Sequence, residues 1–132
     1  MQIIIFKLRD KYYAVGTDKV EEITKNTNST NVPNAPQWVD GLINLRGNVI
    51  SLIDLGFLLK VEEPLCYNNI IICYYEEEKI GLLVEEIIGV REIQPSMINK
   101  VTQNAEQGIL GIVQMKEFIV NIIDVDTLLD SK

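Results

Sequence analysis

The most distinctive candidate for a functional side chain in this sequence is an arginine at a glycine turn. Arg46 precedes Gly47 and lies between two strongly apolar segments, residues 41–45 and 49–54. A planar guanidinium can bind a carboxylate through two parallel hydrogen bonds, which suits recognition of a partner. An arginine that merely caps a hairpin would show the same pattern, so the residue types alone leave both interpretations open.

Asp54 and Asp124 are candidates for a carboxylate pair of the kind that aspartic proteases use. Neither stands in the Asp-Thr/Ser-Gly context that such a pair needs, and the sequence has no histidine, the commonest general base. The serine elbow and the glycine-rich loops that hold phosphates or dinucleotides are also absent from the sequence. We therefore predict no catalytic residue, and we expect each aspartate to accept hydrogen bonds from backbone amides at the start of a short helix.

The two cysteines predict neither a metal site nor a cofactor. Cys66 and Cys73 have no histidine or second cysteine pair near them, so the ligand spacing of a zinc site is missing. Cys73 ends an apolar run, where a reduced cysteine behaves as a small core residue. We expect both to be structural thiols.

The composition favours one soluble, cytoplasmic domain. The chain has 132 residues, of which 47% are hydrophobic, and a net charge of −7, which argues against a nucleic-acid partner. Its apolar runs are too short for a membrane span, and its N-terminus is typical of a strand rather than a signal peptide. The acidic run Glu76–Glu77–Glu78 is expected at a hairpin tip, either as a solvated loop or as a contact for a basic partner.

Alternating apolar residues and turn residues predict a chain of short strands. Residues 2–8 and 12–15 indicate one hairpin, and residues 20–24 indicate a half-buried strand. Residues 41–45 and 49–54 indicate a second hairpin, closed by a turn at Gly47-Asn48. The return strand, residues 49–54, is expected to be buried on both faces. Short helical segments are predicted at residues 37–40 and 55–60.

The second half of the sequence repeats the first. A shift of 67 places residues 2–6 over 69–73 and 20–23 over 87–90, and a shift of 70 places residues 41–59 over 111–129. The pseudo-repeat halves are about 1–62 and 63–132, with five strands each. We predict an all-β fold of two small closed barrels, because closure removes exposed edges and halves of this size need a shared hydrophobic interface.

The repeat isolates the arginine turn as the asymmetric feature. Lys116 occupies the position equivalent to Arg46, but Glu117-Phe118 replaces Gly47-Asn48. Trp38 and Tyr67 are ambiguous, since an aromatic residue between subdomains is usually a packing residue.

Residues 32–36 (VPNAP), 41–47 (GLINLRG) and 49–55 (VISLIDL) resemble the signature of CheW-like chemotaxis coupling proteins. The resemblance runs from Gln2 to Leu129. It implies two five-stranded SH3-like β-barrels around a shared hydrophobic core, with short connecting helices and with strands that cross between the barrels. It also implies a non-catalytic adaptor between the cytoplasmic tip of methyl-accepting chemoreceptors and the regulatory domain of the histidine kinase CheA, recruited to receptor arrays at the inner face of the membrane.

Matched positions imply a partner-binding surface. Arg46 and Glu22 correspond to an exposed arginine and glutamate that are thought to pair in this family. The other implied binding residues are Val20, Gly41, Gly47, Ile71, Gly81 and Val90.

The sequence departs from the family pattern in three places. Ser51 replaces a usual proline, the loop at residues 101–107 is shorter than usual, and we expect no C-terminal tail beyond Leu129. The alternatives are an adaptor of another array, such as one for twitching motility, a domain of a larger signalling protein, or a small ligand-binding barrel.

Overall fold

A computed structural model describes residues 1–62, 64–100, 108–130 and 132. Within these residues the chain folds into short antiparallel and parallel strands. Strands account for 55% of the described residues. In chain order the elements are β1 (Gln2–Leu8), β2 (Lys11–Gly16), β3 (Val20–Lys25), β4 (Val39–Leu45), β5 (Asn48–Asp54), α1 (Leu55–Leu58), β6 (Asn69–Tyr75), β7 (Glu78–Val84), β8 (Glu86–Glu92), β9 (Asn99–Lys100), β10 (Ile109–Gln114), β11 (Ile119–Ile123) and α2 (Val125–Asp130).

These elements form two compact units. The first unit combines Met1–Asp18 with Ile87–Lys132, and the second unit is Lys19–Glu86. The units therefore divide the chain differently from the sequence halves, since the first unit takes strands from both ends of the chain. Residues 101–107, the loop expected to be short, lie outside the described residues.

The first unit is built on a sheet with the strand order β8-β1-β2-β11-β10-β9. Its apolar strand β1 is buried almost continuously from Ile3 to Phe6, as expected for a strand covered on both faces. The core cluster of this unit comprises Ile3, Ile5, Ala14, Ile93, Val113, Val120 and Ile122.

The second unit is built on a sheet with the order β3-β6-β7-β5-β4. Strand β5 runs parallel to β7, and the other neighbours are antiparallel. The core cluster of this unit comprises Ile43, Ile50, Leu52, Ile70, Ile72 and Leu83.

The two sheets correspond strand for strand under the sequence shifts. Ser51 pairs with Ile80 in the second unit, and the shifted positions Asn121 and Tyr13 pair in the first. The register also shifts between Val39 and Gly41, and again at the equivalent residues 109 and 111. Equivalent residues therefore make equivalent ladders, down to the position of a β-bulge.

The all-β prediction with short helices is confirmed, with corrections of detail. The first sheet has six strands, because the two-residue β9 pairs with β10. The helical turn predicted at residues 37–40 is wrong, since Val39 and Asp40 already belong to β4. Strand β5 is not buried throughout, because Val49 at its start is 65% exposed.

Asp54 caps the start of helix α1, as predicted. The Phe57 amide donates a hydrogen bond to Asp54 Oδ1 at 3.1 Å, and the Tyr67 hydroxyl donates to the same oxygen. Tyr67 also accepts a hydrogen bond from the Gly56 amide at 3.1 Å, so this aromatic residue ties the connector after α1 back to the helix start. In the first unit, Asp124 accepts a hydrogen bond from the Thr127 hydroxyl at 2.7 Å instead.

The helix ends earlier than the predicted boundary because of its C-terminal geometry. Lys60 adopts a φ of 58°, the left-handed conformation that stops a helix. The Val61 amide donates to the Gly56 carbonyl at 2.9 Å, and the Lys60 amide donates to the Phe57 carbonyl at 3.2 Å. This pair of bonds is the Schellman motif, which satisfies carbonyls that the helix leaves open.

Replacement of Asp54 by alanine should destabilise the protein more than the same change at Asp124. Loss of an aspartate N-cap costs about 1–2 kcal/mol, and Asp54→Ala also deprives the Tyr67 hydroxyl of its acceptor. We expect a loss of about 2 kcal/mol for Asp54→Ala and about 1 kcal/mol or less for Asp124→Ala, measured by urea unfolding of both variants. Equal losses would show that the Tyr67 contact contributes nothing.

The two thiols should differ in reactivity. Cys66 is exposed and Cys73 is buried, and burial raises the pKa of the Cys73 thiol to about 12. The thiolate is the reactive form, so we expect a disulfide reagent at mildly alkaline pH to titrate one thiol in the folded protein and two in denaturant. Rapid modification of both thiols in the folded state would contradict this packing of Cys73.

Candidate functional site

The turn between β4 and β5 consists of Arg46 and Gly47. Leu45 pairs with Asn48 in the ladder, so the two residues between them connect the strands. Both have positive φ, 50° at Arg46 and 86° at Gly47, which is the requirement of a type I′ hairpin turn. The turn predicted at Gly47-Asn48 is therefore displaced by one residue, and the glycine fills its second position.

Local contacts and backbone conformation explain the glycine at this turn. Asn44 Oδ1 accepts a hydrogen bond from the Gly47 amide at 3.0 Å. A side chain at Gly47 would meet nothing within 4 Å, so the glycine is required for its φ and not for lack of space. The turn thus holds Arg46 in a conformation that non-glycine residues seldom adopt.

Arg46 forms an ion pair with Glu22 through its Nη2 and the Glu22 Oε1 atoms. Glu22 lies on β3, one edge strand of the second sheet, whereas Arg46 follows β4, the opposite edge strand. In a flat sheet these edges would be four strand spacings apart, about 19 Å. The contact therefore requires the second sheet to curl until its two edges approach each other.

The position of Glu22 suits pairing with a cation. Glu22 stands opposite Ile72 in the β3–β6 ladder, and residues paired across a ladder project to the same face. Ile72 belongs to the core cluster, so Glu22 lies on the core side of an edge strand, with 28% of its side chain exposed. The cost of leaving a carboxylate unpaired there is modest because water still reaches its exposed part, and Arg46 supplies the pair while remaining 64% exposed itself.

A second charged group adjoins this pair. The register of the β3–β6 ladder shifts between Val20 and Glu22, so Glu21 is the extra residue of a β-bulge. A bulge changes the direction in which the extra side chain projects. Lys79 Nζ lies 3.1 Å from Glu21 Oε1, and the Tyr74 hydroxyl donates to the same oxygen at 2.9 Å. These hydrogen bonds, first from Lys79 and then from Tyr74, lower the pKa of Glu21, and the carboxylate in turn raises the pKa of Tyr74.

We call these five residues the Arg46 cluster: Arg46, Glu22, Glu21, Tyr74 and Lys79. The positive charge of Arg46 also contributes to the lowered pKa of Glu21, which links the two ion pairs electrostatically. The sequence interpretation missed Glu21, Tyr74 and Lys79. Tyr74 and Lys79 are cross-strand partners of one hairpin and could have been paired from its register, but their meeting with Glu21 depends on the distant β3–β6 ladder.

Gly41 and Val20 belong to the same unit but lie outside the cluster. Val20 is half-buried at the start of β3. Gly41 is buried, and a Cβ there would come within 2.7 Å of Ser29 Oγ and 2.8 Å of the Thr30 carbonyl oxygen. Gly41 therefore serves the close approach of residues 29–30 to β4.

The remaining three predicted binding residues are not brought to this cluster. Ile71 is fully buried, and Gly81 is buried with a Cβ position only 2.6 Å from Ile70 Cγ2. Ile71 lies on β6 and Gly81 on β7, inside the sheet. These residues could therefore affect a partner only through the packing of the sheet. Val90 is 45% exposed on β8 of the first unit.

Asp54 and Asp124 each make local hydrogen bonds within their own unit, Asp54 in the second and Asp124 in the first. Among the described residues, no three Cys, Asp or Glu side chains cluster in a way that could hold a metal ion. None of the described helices is both long and apolar enough to cross a membrane.

The chain is similar to known proteins over nearly its whole length. The family model described as CheW-like domain matches residues 2–132. The chemotaxis protein CheW of Bacillus subtilis is 31% identical over 137 residues, covering 99% of this chain and 88% of that protein. The chemotaxis protein CheW of Rhizobium meliloti is 28% identical over 139 residues, covering 99% of this chain and 88% of that protein.

A solved structure shares the fold. The crystal structure of the scaffolding protein TtCheW from Thermoanaerobacter tengcongensis has a TM-score of 0.86 and 28% sequence identity, covering 96% of this chain and 90% of that one. The likeness in sequence and in fold thus extends over nearly the whole chain. The chain belongs to the CheW-like domain family, a family of non-catalytic scaffolds in chemotaxis.

Proposed function

We propose that this scaffold joins the cytoplasmic tip of methyl-accepting chemoreceptors to the regulatory domain of the histidine kinase CheA, and that the Arg46 cluster is a partner-binding surface. The observation that carries the proposal is the Arg46–Glu22 ion pair, which presents an exposed guanidinium at a fixed place on the second unit. The relatives named as chemotaxis proteins support the choice of partners.

The energetics of the ion pair favour binding over stability as its role. Exposed ion pairs contribute about 0–1 kcal/mol to stability, and Arg46 is 64% exposed. Its backbone also adopts a positive φ, which is unfavourable for a residue with a side chain. A partner carboxylate, by contrast, would find a cation whose orientation is already restricted by Glu22, so that less conformational entropy is lost on binding.

Exposed apolar side chains of the same unit supply contact area. Val49, two residues after Gly47, is 65% exposed, and Tyr74 of the cluster is 38% exposed. Ile23 on β3 is 37% exposed. Interfaces combine an aromatic and aliphatic centre with charged residues that fix orientation, and this surface offers both.

The scaffold acts without turnover. Membership of a non-catalytic family confirms the prediction that the chain is not an enzyme. Weak single contacts become effective when many copies are held together in an array, because linked sites raise the effective concentration of each partner. Val90 on the first unit would contribute a second contact, and recruitment by the receptors would hold the protein in the cytoplasm at the inner face of the membrane.

Replacement of Arg46 by alanine should leave the fold intact and weaken binding to at least one of the two partners by about tenfold, the effect typical of an interface arginine. The free energy of unfolding should fall by less than about 1 kcal/mol. Calorimetric titration with the kinase regulatory domain and with a receptor-tip fragment measures the two affinities. Arg9→Ala is the matched control, since Arg9 also stands first in a two-residue turn with positive φ, 56°. Unchanged affinity for both partners would contradict the proposal.

A charge exchange separates recognition by Arg46 from a structural effect of the ion pair. The double variant Arg46→Glu with Glu22→Arg restores the pair with reversed polarity, so the unfolding free energy should recover relative to Arg46→Glu alone. Binding should stay weak, because the partner meets a carboxylate where a guanidinium was. Full recovery of binding in the double variant would mean that the pair only shapes the surface.

A further inference from the structure

The segment that follows β3 crosses to the opposite edge of the second sheet. It starts beside β6, where the Asn26 amide donates a hydrogen bond to the Asn68 carbonyl at 3.0 Å. Four residues later Thr30 pairs with Leu42 of β4, the other edge strand. We call residues 26–30 the β3–β4 connector. It joins the same two edge strands that the ion pair of the Arg46 cluster joins.

The end of the connector covers part of the outer edge of β4. The Thr30 amide donates a hydrogen bond to the Leu42 carbonyl at 2.8 Å, and the Leu42 amide donates to the Thr30 carbonyl at 2.9 Å. An edge strand presents N–H and C=O groups that its own sheet leaves unpaired, and this bridge satisfies the two groups of Leu42. Because Leu42 lies only four residues before Arg46, the bridge restrains the strand that leads into the arginine turn.

Two residues of β4 hold the connector in place. The register shift between Val39 and Gly41 makes Asp40 the extra residue of a β-bulge, and a bulge changes the direction in which that side chain projects. Asp40 Oδ2 accepts a hydrogen bond from the Ser29 hydroxyl at 3.1 Å. A Cβ at Gly41 would come within 2.8 Å of the Thr30 carbonyl oxygen, so the connector can lie this close only beside a glycine.

The first unit repeats the backbone arrangement without the side-chain hydrogen bond. Under the shift of 70, β9 takes the place of the end of the connector, and it pairs with β10. The equivalent glycine, Gly111, would bring a Cβ within 2.4 Å of the Asn99 carbonyl oxygen. Asn99 stands in place of Ser29, and Leu110, which has no acceptor atom in its side chain, stands in place of Asp40. The hydrogen bond is therefore a feature of the unit that carries the arginine turn.

We propose that Ser29 and Asp40 are positioning residues for Arg46. Their hydrogen bond holds the connector on β4, and the connector keeps the arginine turn within reach of Glu22. The inference rests on the proposed function, because it explains how the partner-binding surface keeps its shape. Gly41 acts by the same route: a side chain there displaces the connector, so a buried residue affects a partner that it does not touch.

Amide measurements on the free protein test the positioning directly. In Ser29→Ala and in Asp40→Ala, the amides of Thr30 and Leu42 should exchange with solvent about fivefold faster, the effect of one lost hydrogen bond on local opening. The amide chemical shift of Gly47 should change in both variants, because the turn is no longer held in one position.

Two matched variants separate the hydrogen bond from other effects of substitution. Asp40→Asn removes the charge but keeps an acceptor oxygen for the Ser29 hydroxyl, so its exchange rates and shifts should stay close to those of the parent protein. Thr27→Ala removes a hydroxyl from the same connector without touching this bond, and it should also behave like the parent.

Affinity for the partner that binds through Arg46 is the second readout. Asp40→Ala should weaken this binding by about fivefold, and Asp40→Asn should restore it. In the Arg46→Ala background, Asp40→Ala should change the affinity by less than about twofold, since a positioning residue has no effect once the residue that it positions is gone. A residue that contacts the partner itself would weaken binding in both backgrounds.

Unchanged Gly47 shifts in both Ser29→Ala and Asp40→Ala would overturn the proposal, because the arginine turn would then be positioned without the connector. An equal loss of affinity from Asp40→Ala with and without Arg46 would also overturn it. Unchanged affinity in Arg46→Ala alone contradicts the proposed function instead, and the amide measurements on the free protein then decide whether the connector positions the turn.

Discussion

The positive-φ turn at Arg46 and Gly47 is the constraint on which the candidate surface depends. Two residues of this conformation reverse the chain between β4 and β5 without splaying the strands. The reversal brings the guanidinium to Glu22 on the opposite edge strand of a curled sheet. Glu22 is then paired on the core side of its strand, and a cation is left facing outward on the same unit.

Duplication of the scaffold explains why the rest of the chain is less distinctive. Both sheets share strand order, parallel pairing and bulge position, so these features serve the fold of each unit. The differences lie on the turns. One unit has an ion pair at the β4–β5 turn, and the other has the Tyr12–Phe118 pair beside a groove. Equivalent places in a repeated fold have thus acquired surfaces that suit different contacts.

Local features of this protein could be predicted from its sequence, whereas features that depend on distant pairing could not. The hairpins and the Asp54 cap follow from residues close in sequence. The contact of Glu21 with Tyr74 and Lys79 joins residues more than fifty positions apart and needs a bulge that no short pattern reveals. The burial of Ile71 likewise follows from the interior position of β6 in its sheet. The isoleucine-rich sequence of β6 does not by itself show that position.

The central claim, that the Arg46 turn and β3 form a docking surface, is tested most directly by mapping it in solution. Amide chemical shifts of the isotope-labelled chain would be followed during titration with the CheA regulatory domain and, separately, with a receptor-tip fragment. The account predicts that with at least one partner the largest shift changes fall on Glu22, Arg46, Gly47 and Val49. Saturating binding by both partners with these amides unchanged would contradict it.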